Sequence, residues 1–306
     1  MIRPRSALSL VVMATFLVGA CSAATPSASQ TTPGTPSSPP ASATGTTTPT
    51  ATAVTPLTSL VSPGKLIDCV DIEYPPMEYF PEGGAVTDPA KAIGFDIDAA
   101  KAIAASLGLQ LEVRNAAFDA VIPDLAAGRC DIVMSALFVS EKRLAVADAV
   151  PYMATGHVIM VVTGNPKGIK SQTDLCGKPV SIQSGGVVET KINAASAECT
   201  AAGNPAIAIQ GYPKVVDEFQ QIALGRVDAV WEVDLGVADW QNRNPGKYEI
   251  AYALPRTDTF GVYFQKGKTD MKTALTAAFA ALKADGTLTS IAKKYSIDPE
   301  SLAPIK

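Results

Sequence analysis

The chain has 306 residues, of which 47% are hydrophobic and 18% charged, and its formal net charge is −4. An acidic balance of this kind argues against binding to nucleic acid or to another anionic surface. The single histidine excludes a histidine-rich metal site, and the chain has neither a P-loop nor a G-x-G-x-x-G motif. We therefore expect neither a metal nor a cofactor.

The N-terminus has the features of an export signal. Two arginines precede an uncharged apolar run from Ala7 to Ala20, which is shorter than the roughly 20 residues that a membrane-spanning helix needs. The Val-Gly-Ala sequence directly before Cys21 resembles the lipobox of bacterial lipoproteins. We predict that residues 1–20 are a signal peptide and that Cys21 carries the lipid. The alternative is cleavage elsewhere, with Cys21 incidental.

A polar segment separates this signal from the rest of the chain. No residue between Ser22 and Gly64 is charged, and Ser, Thr, Pro and Ala make up nearly all of it. Such a segment cannot bury enough apolar surface to offset its chain entropy. Residues 21–64 are predicted to be the lipidated cysteine followed by a disordered linker.

From Lys65 onward the chain alternates strand and helix patterns, and this alternation occurs twice. The first set is predicted as strand Lys65–Asp71, helix Gly94–Leu107, strand Leu111–Arg114, helix Phe118–Ala127 and strand Asp131–Leu137. The second set is strand Pro179–Gln183, helix Gly186–Ala197, strand Ala206–Gln210, helix Lys214–Leu224 and strand Asp228–Val233. This order is typical of parallel sheets flanked by helices, so the sequence predicts two similar α/β lobes.

The C-terminal part adds elements that do not repeat. They are a strand over Phe260–Phe264 and helices over Met271–Lys283 and Leu288–Tyr295. Two facing α/β lobes form a natural ligand cleft beyond the carboxyl ends of their strands. Four cysteines remain in this exported part, and four cysteines allow three connectivities. They are Cys69, Cys130, Cys176 and Cys199.

Six motifs, in order, resemble the polar amino-acid-binding proteins that serve bacterial ABC importers, family 3 of the extracellular solute-binding proteins. These motifs are Lys65–Tyr79, Gly94–Asp98, Phe118–Leu125, Gly128–Val133, Ser140–Arg143 and Asp174–Lys178. The resemblance implies a two-lobed type II periplasmic-binding-protein fold, with mostly parallel sheets and two hinge crossings. The crossings would fall near 153–158 and 254–259.

These crossings assign residues 65–155 and 257–306 to lobe one and residues 156–256 to lobe two. With this division, the expected disulfides are Cys69 with Cys130 and Cys176 with Cys199. Each pair then lies inside one lobe, whereas a bridge between lobes would resist hinge closure.

The resemblance also implies a function. The protein would be a monomeric receptor on the outer face of the cell membrane that captures an amino acid by hinge closure and delivers it to an ABC permease. It would not be an enzyme. Two alternatives stay open, namely a ligand-sensing domain and a dehydratase acting on cyclic dienoate precursors, with Glu73 or Glu232 as the cleft carboxylate.

Arg143 is the candidate anchor for the ligand carboxylate. It follows the predicted helix N-cap Ser140, and the family's matching arginine pairs with the ligand carboxylate. The preceding strand end, Ser135 and Ala136, is expected at the same site. The alternative is an exposed arginine paired with Glu141 or a nearby aspartate.

The ammonium group needs an acidic partner, and here the sequence departs from the family. The family's aspartate lies five residues after the aspartate of the Gly-Arg-x-Asp motif, and that position is Val233 in this chain. Candidates are therefore Asp71, Glu73, Glu232 and Asp234, with Asp234 preferred.

Two more departures concern the ligand side chain. Phe138 replaces a frequent hydroxyl residue, and Glu73 replaces a small one. Together with Tyr74, Phe118 and Trp231, they favour a cationic side chain held by charge and cation–π contacts. The alternative is that the aromatic rings are only apolar walls and that Glu73 faces solvent.

In lobe two, a strand-to-helix turn over Gln183–Gly186 is predicted to contact the ligand. Gly185 and Gly186 let backbone N–H groups approach it, and Gln183 can donate or accept a hydrogen bond. His157 lies in the first crossing and is interpreted as a strand residue.

Overall fold

The computed structural model describes residues 57, 59–81 and 87–306. The predicted signal peptide, Cys21 and most of the predicted linker lie outside the described residues. Within the described part, no helix is both long and apolar enough to cross a membrane.

The described residues form ten strands in two sheets. The strands are β1 Lys65–Val70, β2 Gln110–Asn115, β3 Ile132–Val133, β4 Ala147–Thr155, β5 His157–Val162, β6 Pro179–Gln183, β7 Ala208–Tyr212, β8 Ala229–Val233, β9 Tyr248–Ala253 and β10 Asp258–Gln265. Sheet one has the order β2-β1-β3-β10-β4, and sheet two has the order β7-β6-β8-β5-β9.

The two sheets have the same topology. In each, the first three strands are parallel, the fourth runs antiparallel to both neighbours, and the fifth returns to the common direction. The prediction of two similar, mostly parallel sheets is therefore confirmed. The fourth strand of each sheet is the strand that enters directly from the other lobe.

In the described part of the chain, eight helices flank these sheets. They are α1 Phe95–Ser106, α2 Val121–Ala126, α3 Glu141–Leu144, α4 Val187–Ala201, α5 Val215–Ala223, α6 Asp234–Arg243, α7 Thr269–Ala284 and α8 Thr287–Lys294. Helix α1 begins after Gly94, whose backbone has a positive φ of 133° and lies directly against the Met77 carbonyl, so a side chain at this position would clash.

Two short segments connect the lobes. Gly156 joins β4 of lobe one to β5 of lobe two, and residues 254–257 join β9 to β10. Both lie within the predicted crossings, which confirms the two-lobed fold. The lobe boundaries at 155/156 and 256/257 stay a prediction.

Each lobe contains one disulfide, and both predicted pairings are confirmed. Cys69 of β1 bonds Cys130, just before β3, and Cys176 bonds Cys199 of α4. Neither bridge links the two lobes.

Several elements differ from the sequence-based expectation. Strands β4 and β9 and helix α6 were not predicted, and β3 has two residues instead of the predicted Asp131–Leu137. Beyond Val133 the chain leaves the ladder, because backbone N–H groups there bond to buried acids of lobe one instead of to a neighbouring strand.

Candidate functional site: a carboxyl-rich cavity between the lobes

A cavity lies between the lobes, where the carboxyl ends of β1 and β6 face each other. The volume open to water inside it is about 30 Å³. The lining residues are Asp71, Tyr74, Glu78, Phe118, Ser135, Ala136, Phe138, Gln183, Gly186, Val187, Val188, Glu232 and Val233. Three of these side chains are acidic, and among the described residues none that lines the cavity is basic.

In the lobe-one wall, Ser135 bonds to the backbone of Asp71 and to the carboxyl of Glu78. The Ser135 hydroxyl accepts a hydrogen bond from the Asp71 N–H at 3.0 Å and donates to Oε1 of Glu78 at 3.0 Å. Glu78 is 1% exposed, and its Oε2 has no partner among the described residues. The Glu78 carboxyl also lies within hydrogen-bonding reach of the buried Asp96 carboxyl, so the two acids are placed to share a proton.

The lobe-two wall presents a third acid. Glu232, near the end of β8, is 2% exposed, and its Oε1 accepts a hydrogen bond from the Tyr74 hydroxyl of lobe one at 3.0 Å. Its Oε2 has no partner in the described part of the chain. Behind it, both carboxyl oxygens of the fully buried Glu218 are also without a partner there.

Burial strongly affects the ionisation of these acids. Removal from water raises the pKa of Asp71 to about 7, with further upward pressure from Glu73, and it raises the pKa of Glu232 to about 7. The pKa of Glu78 is raised well above its usual value, mainly by burial and then by neighbouring Asp96. A cationic group entering the cavity would therefore favour ionisation of these carboxyls.

Arg143 lies outside the cavity lining. Ser140 caps α3 as predicted, accepting a hydrogen bond from the Arg143 N–H at 3.4 Å. The guanidinium donates from Nη1 to the Phe138 carbonyl at 3.0 Å and lies over the Phe118 ring, 5.7 Å from its centroid. Phe118 also lines the cavity, so its ring connects the cavity wall with Arg143.

The N-terminus of α4 also contributes to the wall. Gly186, Val187 and Val188 line the cavity, and the Phe118 ring packs against Gly186. The neighbouring Gly185 N–H donates to Oε2 of Glu189, in the first turn of the same helix, at 2.7 Å.

The structure brings nine of the fourteen predicted ligand-binding residues together in the lining. They are Asp71, Tyr74, Phe118, Ser135, Ala136, Phe138, Gln183, Gly186 and Glu232. The other five are Glu73, Arg143, Gly185, Trp231 and Asp234.

Three of these five lie elsewhere, one in the core of lobe two and two in ion pairs. Trp231 is fully buried in the core of lobe two, because side chains alternate along β8 and Glu232 takes the cavity side. Asp234 accepts a hydrogen bond from the Thr155 hydroxyl at 2.6 Å and pairs with Arg256 at 3.0 Å. Glu73 pairs with Lys214 in the wall of a second pocket, which shares no lining residue with this cavity.

Four lining residues were missed from the sequence. Glu78 stands in a quoted motif, and its signal is an acid directly after the apolar Pro-Pro-Met run. Val187 and Val188 follow the predicted glycine turn and form the first turn of α4. Val233 was passed over because it lacks the family's carboxylate.

Comparisons with known proteins identify the family of this chain. The model of the bacterial extracellular solute-binding proteins, family 3, matches residues 66–298. The histidine-binding periplasmic protein of Salmonella typhimurium is 30% identical over 213 residues, covering 66% of this chain and 78% of its own. The L-cystine-binding protein TcyJ of Escherichia coli is 25% identical over 233 residues, covering 76% and 82%. The solved structure of an ancestral arginine-binding protein bound to arginine has 31% identity and a TM-score of 0.68, covering 76% and 98%.

Proposed function

The chain belongs to family 3 of the bacterial extracellular solute-binding proteins, and we propose that it captures an amino acid with a cationic side chain and presents it to an ABC importer. The observation that carries this proposal is the cavity wall, with Asp71, Glu78 and Glu232 and no basic side chain among its described residues. Arginine binding by similar proteins supports the same ligand class.

Capture would proceed by closure of the lobes. Asp71 and Glu78 belong to lobe one and Glu232 to lobe two, so a cation between them contacts both lobes only in the closed form. Tyr74 and Phe118 offer aromatic rings for cation–π contact. Because the ligand stabilises the closed form through these contacts, binding shifts the population toward it.

The ammonium group of the ligand is assigned to Glu232 in preference to Asp234. The Asp234 carboxylate is already shared by Thr155 and Arg256 at the crossings, whereas Glu232 lines the cavity and has an unused oxygen. The ligand carboxylate is assigned to the N-terminal turn of α4, and it reaches Arg143 only after Phe118 rotates.

The test is a thermal-shift and calorimetric screen of the full chain, unfolded and refolded to remove carried ligand, against the common amino acids. A ligand at 100 times its Kd adds about 2.7 kcal/mol to the free energy of unfolding, or roughly 5 to 10 °C in Tm. We expect shifts with arginine, lysine or ornithine and none with glutamate. Binding of glutamate alone would refute the cationic assignment.

The charge of the cavity also argues against a dehydratase. A cyclic dienoate is an anion, and in this cavity it would meet three carboxyls without a basic partner in the lining. We therefore propose a binding protein without enzymatic activity, monomeric in solution. Turnover of such an acid, or a dimer by light scattering, would contradict this.

We further propose that Cys21 anchors the mature chain to the membrane by lipid. The support is the sequence around Cys21 and the uncharged segment after it. Mass spectrometry of the mature N-terminus should find a diacylglyceryl adduct, and Cys21→Ala should move the protein from the membrane to the soluble fraction.

A further inference from the structure

The two segments that connect the lobes meet at one cluster of side chains. Asp234, at the start of α6, accepts a hydrogen bond from the Thr155 hydroxyl at 2.6 Å, and its backbone N–H donates to the Gly156 carbonyl at 3.0 Å. Its other carboxylate oxygen pairs with Nε of Arg256 at 3.0 Å. Thr155 and Gly156 lie at the first connection and Arg256 at the second, so one residue of lobe two is bonded to both.

The guanidinium of Arg256 extends this cluster to lobe one. Its Nη2 donates to the Ala154 carbonyl of β4 at 3.4 Å and to the Ser301 hydroxyl at 3.2 Å. Ser301 is buried and belongs to the C-terminal turn Pro299–Leu302. The same side chain therefore makes an ion pair with lobe two and two hydrogen bonds with lobe one. The hinge cluster consists of Asp234, Thr155, Arg256 and Ser301.

The first connection leaves room for the stem of Arg256. A Cβ atom added to Gly156 would lie 2.8 Å from Cγ and 3.4 Å from Cα of Arg256. The need for glycine here is steric, since the backbone of Gly156 does not have a positive φ. A side chain at this position would push the arginine out of the hinge cluster.

The hinge cluster restricts the residues that must move when the lobes separate. A hinge opens through changes of backbone angles in a few connecting residues, and Arg256 is one of them. Because its side chain is bonded on both sides of the hinge, opening must strain or break the ion pair with Asp234 or the hydrogen bonds with Ala154 and Ser301. None of the hinge-cluster residues lines the cavity, so this stabilisation does not need a ligand.

From these contacts we propose that Asp234 and Arg256 are positioning residues for ligand capture, which stabilise the closed arrangement of the lobes before a ligand enters. The inference rests on the proposed function because closure is the capture step. It goes further because it assigns part of the closing free energy to residues that the ligand does not contact. The side chain of Arg256 is about half exposed, so solvent screens the ion pair, and losing the cluster should lower the ratio of closed to open molecules only about three- to tenfold. Ligand affinity should fall with the closed fraction.

The experiment measures closure in the ligand-free protein, after unfolding and refolding to remove carried ligand. Lys101→Cys in lobe one and Asn193→Cys in lobe two, both at exposed positions, carry nitroxide labels in a full chain with Cys21→Ala. Pulsed electron paramagnetic resonance then gives the distribution of distances between the lobes. We expect a closed population without ligand in this background.

Three variants should lower this closed population. Arg256→Gln and Asp234→Asn each remove the ion pair, and the double variant should lose little more than the larger single loss, because the two residues act through one contact. Gly156→Ala displaces the arginine stem without removing a charge. Unchanged distance distributions in both charge variants would overturn the inference.

The matched control is the ion pair between Arg243 and Asp239, which has similar exposure but lies within α6. Arg243→Gln should leave the closed population unchanged. An equal loss in this control would mean that removal of any such charge loosens the lobes, which would contradict a specific role of the hinge cluster.

Calorimetry with arginine and with lysine separates this inference from the proposed function. Arg256→Gln should weaken the binding of both amino acids by the same factor, because the residue contacts neither. Factors that differ by more than about threefold would indicate a direct ligand contact and overturn the positioning role. If the unsubstituted protein binds neither amino acid, the proposed function fails, whereas the ligand-free distances still decide the role of the hinge cluster.

Discussion

The two lobes share one strand order but treat their buried acids differently. In lobe one, Asp68 and Asp96 accept hydrogen bonds from backbone N–H groups of the segment after β3. In lobe two, Glu218 has no partner among the described residues, and Glu232 is bonded by Tyr74 of the other lobe. Lobe one therefore bonds each of these two acids with groups of its own, whereas Glu232 of lobe two receives its side-chain hydrogen bond from the other lobe.

Because of this difference, the two lobes have separate roles although their folds are similar. Lobe one holds a network of buried acids in which Asp68, Asp96 and Glu78 are hydrogen-bonded within the lobe, and Glu78 lies next to Asp96. Lobe two contributes Glu232, whose carboxylate accepts the Tyr74 hydrogen bond only when the lobes meet. The ligand-dependent part of the closing free energy is thus expected to be concentrated at Glu232.

The largest expected effect concerns the disulfide of each lobe. Cys69 and Cys130 are separated by 61 residues, and Cys176 and Cys199 by 23. From the chain entropy of the unfolded state, replacing a pair by serine should cost about 4 kcal/mol in lobe one and about 3.5 kcal/mol in lobe two. Thermal unfolding of both double variants measures this.

Each disulfide variant serves as the experimental control for the other. Because neither bridge connects the lobes, ligand affinity should stay within threefold in both folded variants. A variant that stays folded but loses binding would show that its bridge helps to set the closed geometry, which would break the proposed separation between lobe stability and closure.

The next effect is on ligand affinity. Glu232→Gln keeps the side-chain size but removes the charge that meets the ligand cation, so binding should weaken by about 2 to 3 kcal/mol, or roughly 30- to 150-fold. The matched control is Glu218→Gln, equally buried in lobe two but absent from the cavity lining. Calorimetry should find the control within threefold of the wild type. Equal losses in both would mean that lobe-two packing, and not Glu232, controls affinity.

Much of the fold could be predicted because its repeats have strong local patterns. Strand β6 matches its predicted range, and α1, α5 and α7 lie within two residues of theirs. The missed strands β4 and β9 lie at the ends of their sheets. Pro151 and several half-exposed residues interrupt the pattern of β4, and its pairing with β10 is remote in sequence.

The cavity was predictable wherever a residue directly follows a strand of the repeat, as Asp71 does. The hydrogen-bond and ion-pair partners of the charged residues could not be predicted. Asp234 is engaged by Thr155 and Arg256, which are distant in the chain and meet only at the crossings. Likewise, the backbone carbonyl that receives Arg143 has no signal in a residue pattern.

A smaller effect is expected from pH. Since burial raises the pKa of Asp71 and Glu232 to about 7, the folded protein holds protons that the unfolded chain releases between about pH 4 and 7. The free energy of unfolding without ligand should therefore fall as pH rises through this window. Cation binding needs the ionised carboxyls, so affinity should rise over the same range by up to about tenfold per pH unit.

Tm with and without ligand at pH 5 to 8 tests both trends. Glu232→Gln should make both pH profiles shallower, because one titrating carboxyl is gone. A wild-type affinity that stays constant between pH 5.5 and 7.5 would show that the cavity acids are already ionised before the ligand enters.

The smallest effect belongs to the ion pair between Lys214 of lobe two and Glu73 of lobe one. Lys214 is half exposed, so solvent and salt screen the pair, and its contribution to closure should not exceed about 1 kcal/mol. Lys214→Ala and Glu73→Gln should each change ligand Kd by less than about fivefold at low salt and leave it unchanged at 0.5 M NaCl. A loss that persists at high salt would mean that Glu73 contacts the ligand directly. The ligand-dependent part of closure would then be shared with Glu73 of lobe one, and the contrast between the lobes would be weaker than the cavity alone suggests.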